Sequence, residues 1–454
     1  MKINCDYQDL DALRAALAEL ELDLPLREDL SVLATPLVIG HRRAANRLAV
    51  QPMEGCDGTE DGRPGELTIR RYRRFAAGGA GLIWFEATAV REDGRANARQ
   101  LLLTRETLDS YRELVADIRR SAREAGGPDP LIILQATHSG RYSKPGGIAA
   151  PRIAYHHPIF EAEKRLPDSA IMSDGELDDL LPFYGEATRL AAEAGFDGID
   201  IKACHRYLIS ELLSAFERPG RYGGSFENRT RFLREAIRLA NAAAPAGFLV
   251  ASRINLYDGY PWPCGWGVAP EPAGSVDPDL TEPNRLIREL YDDFGVRLLN
   301  LTIGNPYSNP HVNRPFSGGP YDPPEHPLAG IRRHVSCAQA LRRAVPEMRT
   351  VLSGISWLRS FAPLLAAGVV ADDVVDFAGF GRLAFANPSF AREILTDGRI
   401  DRRRVCVACS RCSQLMRAGS VAGCPIHDRE IYGSIYRRDV LESDRDIAGM
   451  VSND

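Results

Sequence analysis

"DVVDFAGFGR", residues 373–382, is an apolar run that ends in a bare glycine and an arginine. A run this short and this apolar suits a strand buried on both faces, hence a parallel sheet. Seven comparable runs precede it: "RLAVQPM" (47–53), "GLIWFEA" (81–87), "LIILQA" (131–136), "GIDIKA" (198–203), "GFLVASRI" (247–254), "LLNLTIG" (298–304) and "RTVLSGI" (349–355). Between most of them lie helical patterns such as "LDSYRELVADIRRSAREAG" and "LPFYGEATRLAAEAG". Eight strand–helix units over about 340 residues predict an α/β fold closed into a (β/α)8 barrel. A doubly wound sheet is the alternative, and the even repetition of the units favours closure. No shorter repeat or low-complexity segment interrupts the pattern.

The 454 residues are 44% hydrophobic and 26% charged, an ordinary balance for a chain with a sizeable core. A net charge of -5 and the absence of a basic stripe argue against a nucleic-acid partner. The start is acidic and lacks the uninterrupted apolar core of a signal peptide. No stretch approaches the ~18 apolar residues of a membrane span. A cytoplasmic location is expected. Residues 1–35 are read as a helical extension, with Leu10, Leu13, Leu17 and Leu20 on one apolar stripe. The stripe is expected to pack on the barrel or on a second subunit, and a homo-oligomer is expected.

Four of nine cysteines crowd into "CVACSRCSQLMRAGSVAGCP", residues 406–425. An odd count in a reducing compartment disfavours a disulfide framework. Cys406, Cys409, Cys412 and Cys424 follow C-x2-C-x2-C-x11-C. Zinc proteins more often pair two C-x2-C knuckles or add histidine. Three close cysteines, a distant fourth and then Pro425 look more like an iron–sulfur ligand set. The spacing favours the cluster and leaves zinc open.

Three long loops, 142–172, 255–283 and 304–328, each follow a strand, so a barrel gathers them on its C-terminal face, where such enzymes keep their sites. Gly354, and Gly381 with Arg382, end the seventh and eighth runs, a corner of barrels that commonly binds phosphate. Gln135 and Arg253 are polar at positions expected to be buried. Together these suit a flat heterocycle with carbonyl edges and a phosphate tail, which points to flavin.

These pieces also resemble a known family. "NRLAVQPM", "GLIWFEATAV", "LQATHSGRYSKP", "GFDGIDIKACHRYL", "RYGGSFENRTRF", "GFGRLAFANP" and the cysteine tail resemble the Old Yellow Enzyme-like NADH:flavin oxidoreductases. The similarity is greatest to the iron–sulfur branch that includes 2,4-dienoyl-CoA reductase, and it covers about residues 35–430. The resemblance implies a barrel with non-covalent FMN that reduces the C=C bond of an α,β-unsaturated carbonyl, a small-molecule substrate. It implies Pro52, Met53, Glu54 and Ala87 beside the flavin, Gln135 and Arg253 on its pyrimidine edge, and Gly354, Gly381 and Arg382 on its phosphate. It implies a [4Fe-4S] cluster on the four cysteines. Tyr207, just past the end of the fourth run and with a phenol that holds its proton at neutral pH, is read as the proton donor, and Lys202 and His205 at the same strand end as holding the substrate carbonyl oxygen. Domain limits follow as 1–35, 36–397 for the barrel, and 398–454 for the cluster segment and tail.

Some residues depart from the family pattern. Glu54 stands where a small or hydroxylated residue is usual, and Lys202 where the family places a substrate-binding histidine. The segment between Leu213 and Gly223 is short, and two residues rather than three separate Cys409 from Cys412. Only about thirty residues follow Cys424, so the relatives' C-terminal FAD and NAD(P)H domains are not expected. Electrons are expected from NAD(P)H directly or from an electron-transfer protein through the cluster. The alternatives are an amine dehydrogenase-like oxidation, disfavoured because Glu54 occupies the place of the flavin-linked cysteine, and a zinc-containing electron-carrier or non-catalytic subunit.

Overall fold

The computed structural model describes residues 3–272 and 274–442. Residues 1–2 of the N-terminal extension and 443–454 of the C-terminal tail lie outside the described residues. The first element is α1 (Leu10–Glu19), opened by Asp9, whose carboxylate accepts from the Ala12 amide and fills one of the orphan donors of a helix start. Leu13 and Leu17 are buried, each worth roughly 1.5–3 kcal/mol. Leu20 is not part of this stripe. It is the C-cap of α1 and stays 37% exposed, because the helix ends there and the chain turns away. The extension lies on the barrel: the Arg27 amide donates to the Leu364 carbonyl, and Cys5 Sγ reaches the Leu358 carbonyl at 3.6 Å.

A short hairpin, β1 (Leu37–Ile39) with β2 (Arg42–Ala44), precedes the barrel. The barrel strands are β3 (Leu48–Val50), β4 (Leu82–Ala89), β5 (Leu131–Thr137), β6 (Gly198–Ile201), β7 (Leu249–Tyr257), β8 (Leu298–Ile303), β9 (Arg349–Leu352) and β10 (Phe377–Phe380). They pair in sequence order, all parallel, and β10 returns to β3. All eight apolar runs of the sequence therefore become barrel strands. Helices intervene: α2 (Glu66–Ala77), α3 (Leu108–Glu124), α4 (Asp174–Glu193), α5 (Leu208–Leu213), α6 (Phe226–Ala243), α7 (Thr281–Asp292), α8 (Pro310–Asn313), α9 (Pro327–Ala344), α10 (Ala362–Ala371), α11 (Arg382–Ala386) and α12 (Phe390–Asp397). Ser173 and Glu176 close a capping box at the start of α4, satisfying two backbone donors reciprocally.

The lower lumen is apolar. Ala49, Leu82, Trp84, Leu131, Ile133, Ala251, Leu298, Val351 and Phe377 fill it, and Leu37, Ile39 and Ala44 of the hairpin plug it from beneath. One irregularity matters above this layer. The register of β4 on β5 shifts between Trp84 and Ala87, which breaks the simple alternation of faces. Glu86 is thereby directed to Arg71 of α2 and to the Gly55 amide.

Candidate active site

A polar belt lies directly above the apolar lumen. Asp200 on β6 accepts from Trp84 Nε1 at 2.7 Å, from Gln135 Nε2 at 2.6 Å and from the Arg253 amide at 2.5 Å. Burial pushes its carboxyl up to about 6, although these three donors oppose the rise. Across the belt, Asn300 Nδ2 donates to Gln51 Oε1 at 2.7 Å, and Gln51 Nε2 donates to the Leu352 carbonyl. This belt is the floor of a cavity at the C-terminal ends of the strands.

Two guanidinium groups in the cavity wall carry buried N–H groups with no protein partner: Arg253 Nε and Arg382 Nη1. An unmet buried donor on a charged group costs more than a neutral one, so both sites suit an anionic or carbonyl oxygen. Close backbone approach is built in beside them. Gly354 has φ +87, and a Cβ there would meet His334 Nε2 at 2.5 Å. A Cβ on Gly381 would meet Met53 Sδ at 2.7 Å. Arg314, from the loop after β8, joins this corner and donates to Ser410 Oγ at 3.3 Å. Burial and the neighbouring Arg382 pull its guanidinium down to about 10.

The same cavity also carries the proton-bearing groups. His205 and Arg206 both have positive φ, at 64° and 59°, in a tight turn beyond β6 that sends Lys202, His205 and Tyr207 to the same wall. Tyr207 donates to Glu54 Oε1 at 3.2 Å and pairs with the Tyr307 hydroxyl at 2.8 Å. Lys202 Nζ sits 3.6 Å over the Tyr207 ring centroid and 3.7 Å from Glu54 Oε1. Burial, then the Glu54 charge, hold the Tyr207 phenol well above its ordinary value, so it keeps its proton at neutral pH. Burial lowers the Lys202 ammonium, and Glu54 opposes that fall. Burial and the charges of Arg253, Lys202 and Arg314 hold His205 well below 6.5, as a neutral imidazole. Its Nε2 lies 3.3 Å from Asn313 Nδ2, whose N–H groups also reach Thr302 Oγ1 at 3.0 Å and the Ile303 carbonyl at 2.8 Å.

The cavity thus brings together Pro52, Met53 and Glu54 with Gln135 and Arg253, and with Gly354, Gly381 and Arg382. Lys202, His205 and Tyr207 share the same wall. Ala87 does not line it. It is 1% exposed, paired with Gln135 across β4 and β5, and its carbonyl accepts from Gln100 Nε2. Three residues escaped the sequence reading: Arg314, Tyr307, and Tyr142, whose ring stacks on Tyr307 at 4.1 Å. All three come from the long loops after β5 and β8, where no periodicity marks which side chain turns inward.

The four tail cysteines line a second, smaller cavity, whose wall includes Arg382. Ala408 and Ser410 take positive φ and turn the chain between successive thiols. The Ala408 amide donates to Cys406 Sγ at 3.4 Å, and burial pushes the Cys424 thiol up to about 12. The segment is stitched to both cavity loops: the Ser317 and Gly318 amides donate to the Ala408 carbonyl, and the Ala422 amide to the Gly55 carbonyl. All nine cysteines are free thiols. Among the described residues, no three His, Cys, Asp or Glu side chains are grouped so that they could hold a single metal ion.

The sequence profile of the NADH:flavin oxidoreductase / NADH oxidase family matches residues 32–262, half of the chain. The chain belongs to this family. An NADPH dehydrogenase from Geobacillus sp. (strain WCH70) is 36% identical over 213 residues, 46% of this chain and 58% of that protein. An NADH oxidase from Thermoanaerobacter brockii is 25% identical over 82% of this chain and 52% of its own length. The chain therefore spans less than two thirds of these relatives. Among solved structures, a 2-naphthoyl-CoA reductase in complex with 2-naphthoyl-CoA superposes with a TM-score of 0.71 over 88% of this chain and 57% of that one, at 19% identity. That likeness concerns the fold, and the fold is the barrel described above. Within the flavin oxidoreductase family, the 32–262 match carries Met53, Gln135, Lys202, Tyr207 and Arg253. The β9–β10 corner and the four tail cysteines lie beyond it.

Proposed function

We propose that the protein is an FMN-dependent, NAD(P)H-linked oxidoreductase that reduces the C=C bond of an α,β-unsaturated carbonyl compound. The observation that carries this reading is the pair of partnerless guanidinium donors, Arg253 Nε and Arg382 Nη1, in the wall of one cavity that also holds Tyr207, Lys202 and Glu54. Two unmet cationic donors in one cavity suit a group that carries both a carbonyl edge and a phosphate. FMN, when bound, supplies a hydride. Arg382 and Arg314 would hold its phosphate, and Gln135 and Arg253 its heterocycle. Pro52, Met53 and Glu54 would lie along it, with the backbone of Gly354 and Gly381 close to the phosphate.

The chain's own residues then manage the substrate. Lys202, within the wall and beyond hydrogen-bond length from Glu54, is available to hold a carbonyl oxygen and stabilise the developing enolate. Tyr207 holds a proton at neutral pH and delivers it to the α-carbon. His205, neutral and beside Asn313, shapes the wall next to it. The four cysteines are proposed as ligands of a [4Fe-4S] cluster through which a partner protein could deliver electrons. Their lining of a common cavity suits several metal atoms better than one zinc, which needs all its ligands about 2.3 Å from a single point. Residues 36–397 are proposed as the flavin barrel and 398–454 as the cluster segment, in a cytoplasmic homo-oligomer.

Anaerobic purification tests the cofactor reading: bound FMN and about four irons per chain are expected. Protein that binds no flavin on reconstitution contradicts the flavin reading, and one zinc without iron contradicts the cluster.

A further inference from the structure

Lysine occurs four times in this chain, at positions 2, 144, 164 and 202, against fifty-two arginines. Positive charge is otherwise supplied almost wholly by arginine, even at buried sites such as Arg71, Arg206 and Arg253. Lys144 and Lys164 are exposed, whereas Lys202 is 4% exposed in the cavity wall. A charge alone at position 202 does not explain a lysine in so arginine-rich a chain. What lysine has and arginine lacks is an amine that can lose its proton and attack carbon.

The surroundings fit that chemistry. Nζ makes no hydrogen bond among the described residues; its contacts are the 3.7 Å approach to Glu54 Oε1 and the face of the Tyr207 ring. Glu54 can take the ammonium proton. The Tyr207 hydroxyl, already donating to Glu54 at 3.2 Å, can protonate a departing hydroxyl. Arg253 in the same wall disfavours a second positive charge nearby, as neighbouring cations do at amine nucleophiles.

We propose that Lys202 forms a Schiff base with the carbonyl carbon of an aldehyde or ketone substrate. This rests on the alkene-reductase reading above, replaces the oxygen contact given to Lys202 there with a covalent bond, and narrows the substrate class, because esters and thioesters do not condense to imines. The step balances. The ammonium gives one proton to Glu54, and the free amine adds to the carbonyl carbon. The hydroxyl that results leaves as water, carrying the amine's second proton and the one held by Glu54 and Tyr207. Lys–NH3+ and the aldehyde become a protonated imine and water, with no net change in charge. The conjugated alkene of that iminium accepts hydride more readily than that of the free aldehyde.

The test uses the purified holoprotein, 3-phenylpropanal and sodium cyanoborohydride. This saturated aldehyde is a reaction product and cannot add in conjugate fashion. The expected result, by peptide mass mapping, is a reduced adduct at Lys202 at aldehyde concentrations that leave Lys144 and Lys164 unmodified. It should be absent from Lys202→Arg. Labelling confined to Lys2, Lys144, Lys164 and the amino terminus would overturn the proposal. A second measurement separates it from the reading it rests on. Lys202→Arg keeps charge and donors but cannot condense; with flavin content retained, wild-type rates of cinnamaldehyde reduction would remove the Schiff base and leave the reductase reading standing. A wild-type protein that labels at Lys202 yet reduces no alkene would instead support the Schiff base and sink the reductase reading.

Discussion

Tyr207 is held between a carboxylate and a second phenol, and both contacts keep its proton in place. Tyr207→Phe preserves the ring under Lys202 and removes only the hydroxyl. Reoxidation of the reduced protein by an alkene should slow by ~10²–10⁴-fold, while reduction by NAD(P)H keeps its rate in stopped-flow traces. An unchanged reoxidation rate would remove Tyr207 from the mechanism. Arg382→Ala deletes a charge-assisted contact and should weaken FMN binding by about 1.5–3 kcal/mol, read by flavin titration of the apoprotein. His334, buried against the Asn313 carbonyl, is lowered by burial from 6.5 to about 4. Its folded state therefore prefers the neutral ring, so its contribution is present above pH 6.5 and is lost as pH falls towards 4. That loss is worth about 3 kcal/mol, and urea unfolding of His334→Gln should show a shallower decline over this window than the wild type.

Two elements set the site's geometry from outside it. The loop after β3, which carries Met53 and Glu54, is anchored by a buried triad. Arg71 on α2 pairs with Asp57 and Glu86, and the Gly55 amide donates to Glu86 at 2.9 Å. Burial lifts Glu86 to about 7 against the pull of Arg71. Arg71→Ala leaves two buried carboxylates without their cation and should cost about 3–5 kcal/mol in urea unfolding. An unchanged midpoint would show that the loop is held otherwise. The cysteine segment is the second element. Because the barrel supplies most of the cavity lining and the segment only Ser413, Met416 and Arg417, Cys409→Ser should lose iron while retaining most FMN in metal and flavin analyses. This triad was hidden in the sequence: strict alternation along "GLIWFEA" does not reveal the register shift that sends Glu86 outward. The stripe on α1 misled in a similar way, since Leu20 falls at the helical period but beyond the last turn.

At the scale of the molecule, the barrel was legible because parallel strands buried on both faces read as unbroken apolar runs, and every one of the eight closed into the sheet. Polar residues inside those runs, such as Gln135 and Arg253, exposed themselves by contrast with their neighbours. Glycines at strand ends marked the corner where backbone must approach closely. Tyr307, Tyr142 and Arg314 were not legible, because their loops follow the surface of the site rather than a period. The central claim is that this cavity passes reducing equivalents from NAD(P)H to an activated alkene. The most direct measurement is anaerobic: bleach the bound flavin with NADH or NADPH, remove excess coenzyme, then add an enone or enal and follow the flavin absorbance. Full recovery of the oxidised spectrum with one saturated product per flavin is predicted. A flavin that stays bleached with every alkene, yet reoxidises at once in air, would contradict the account.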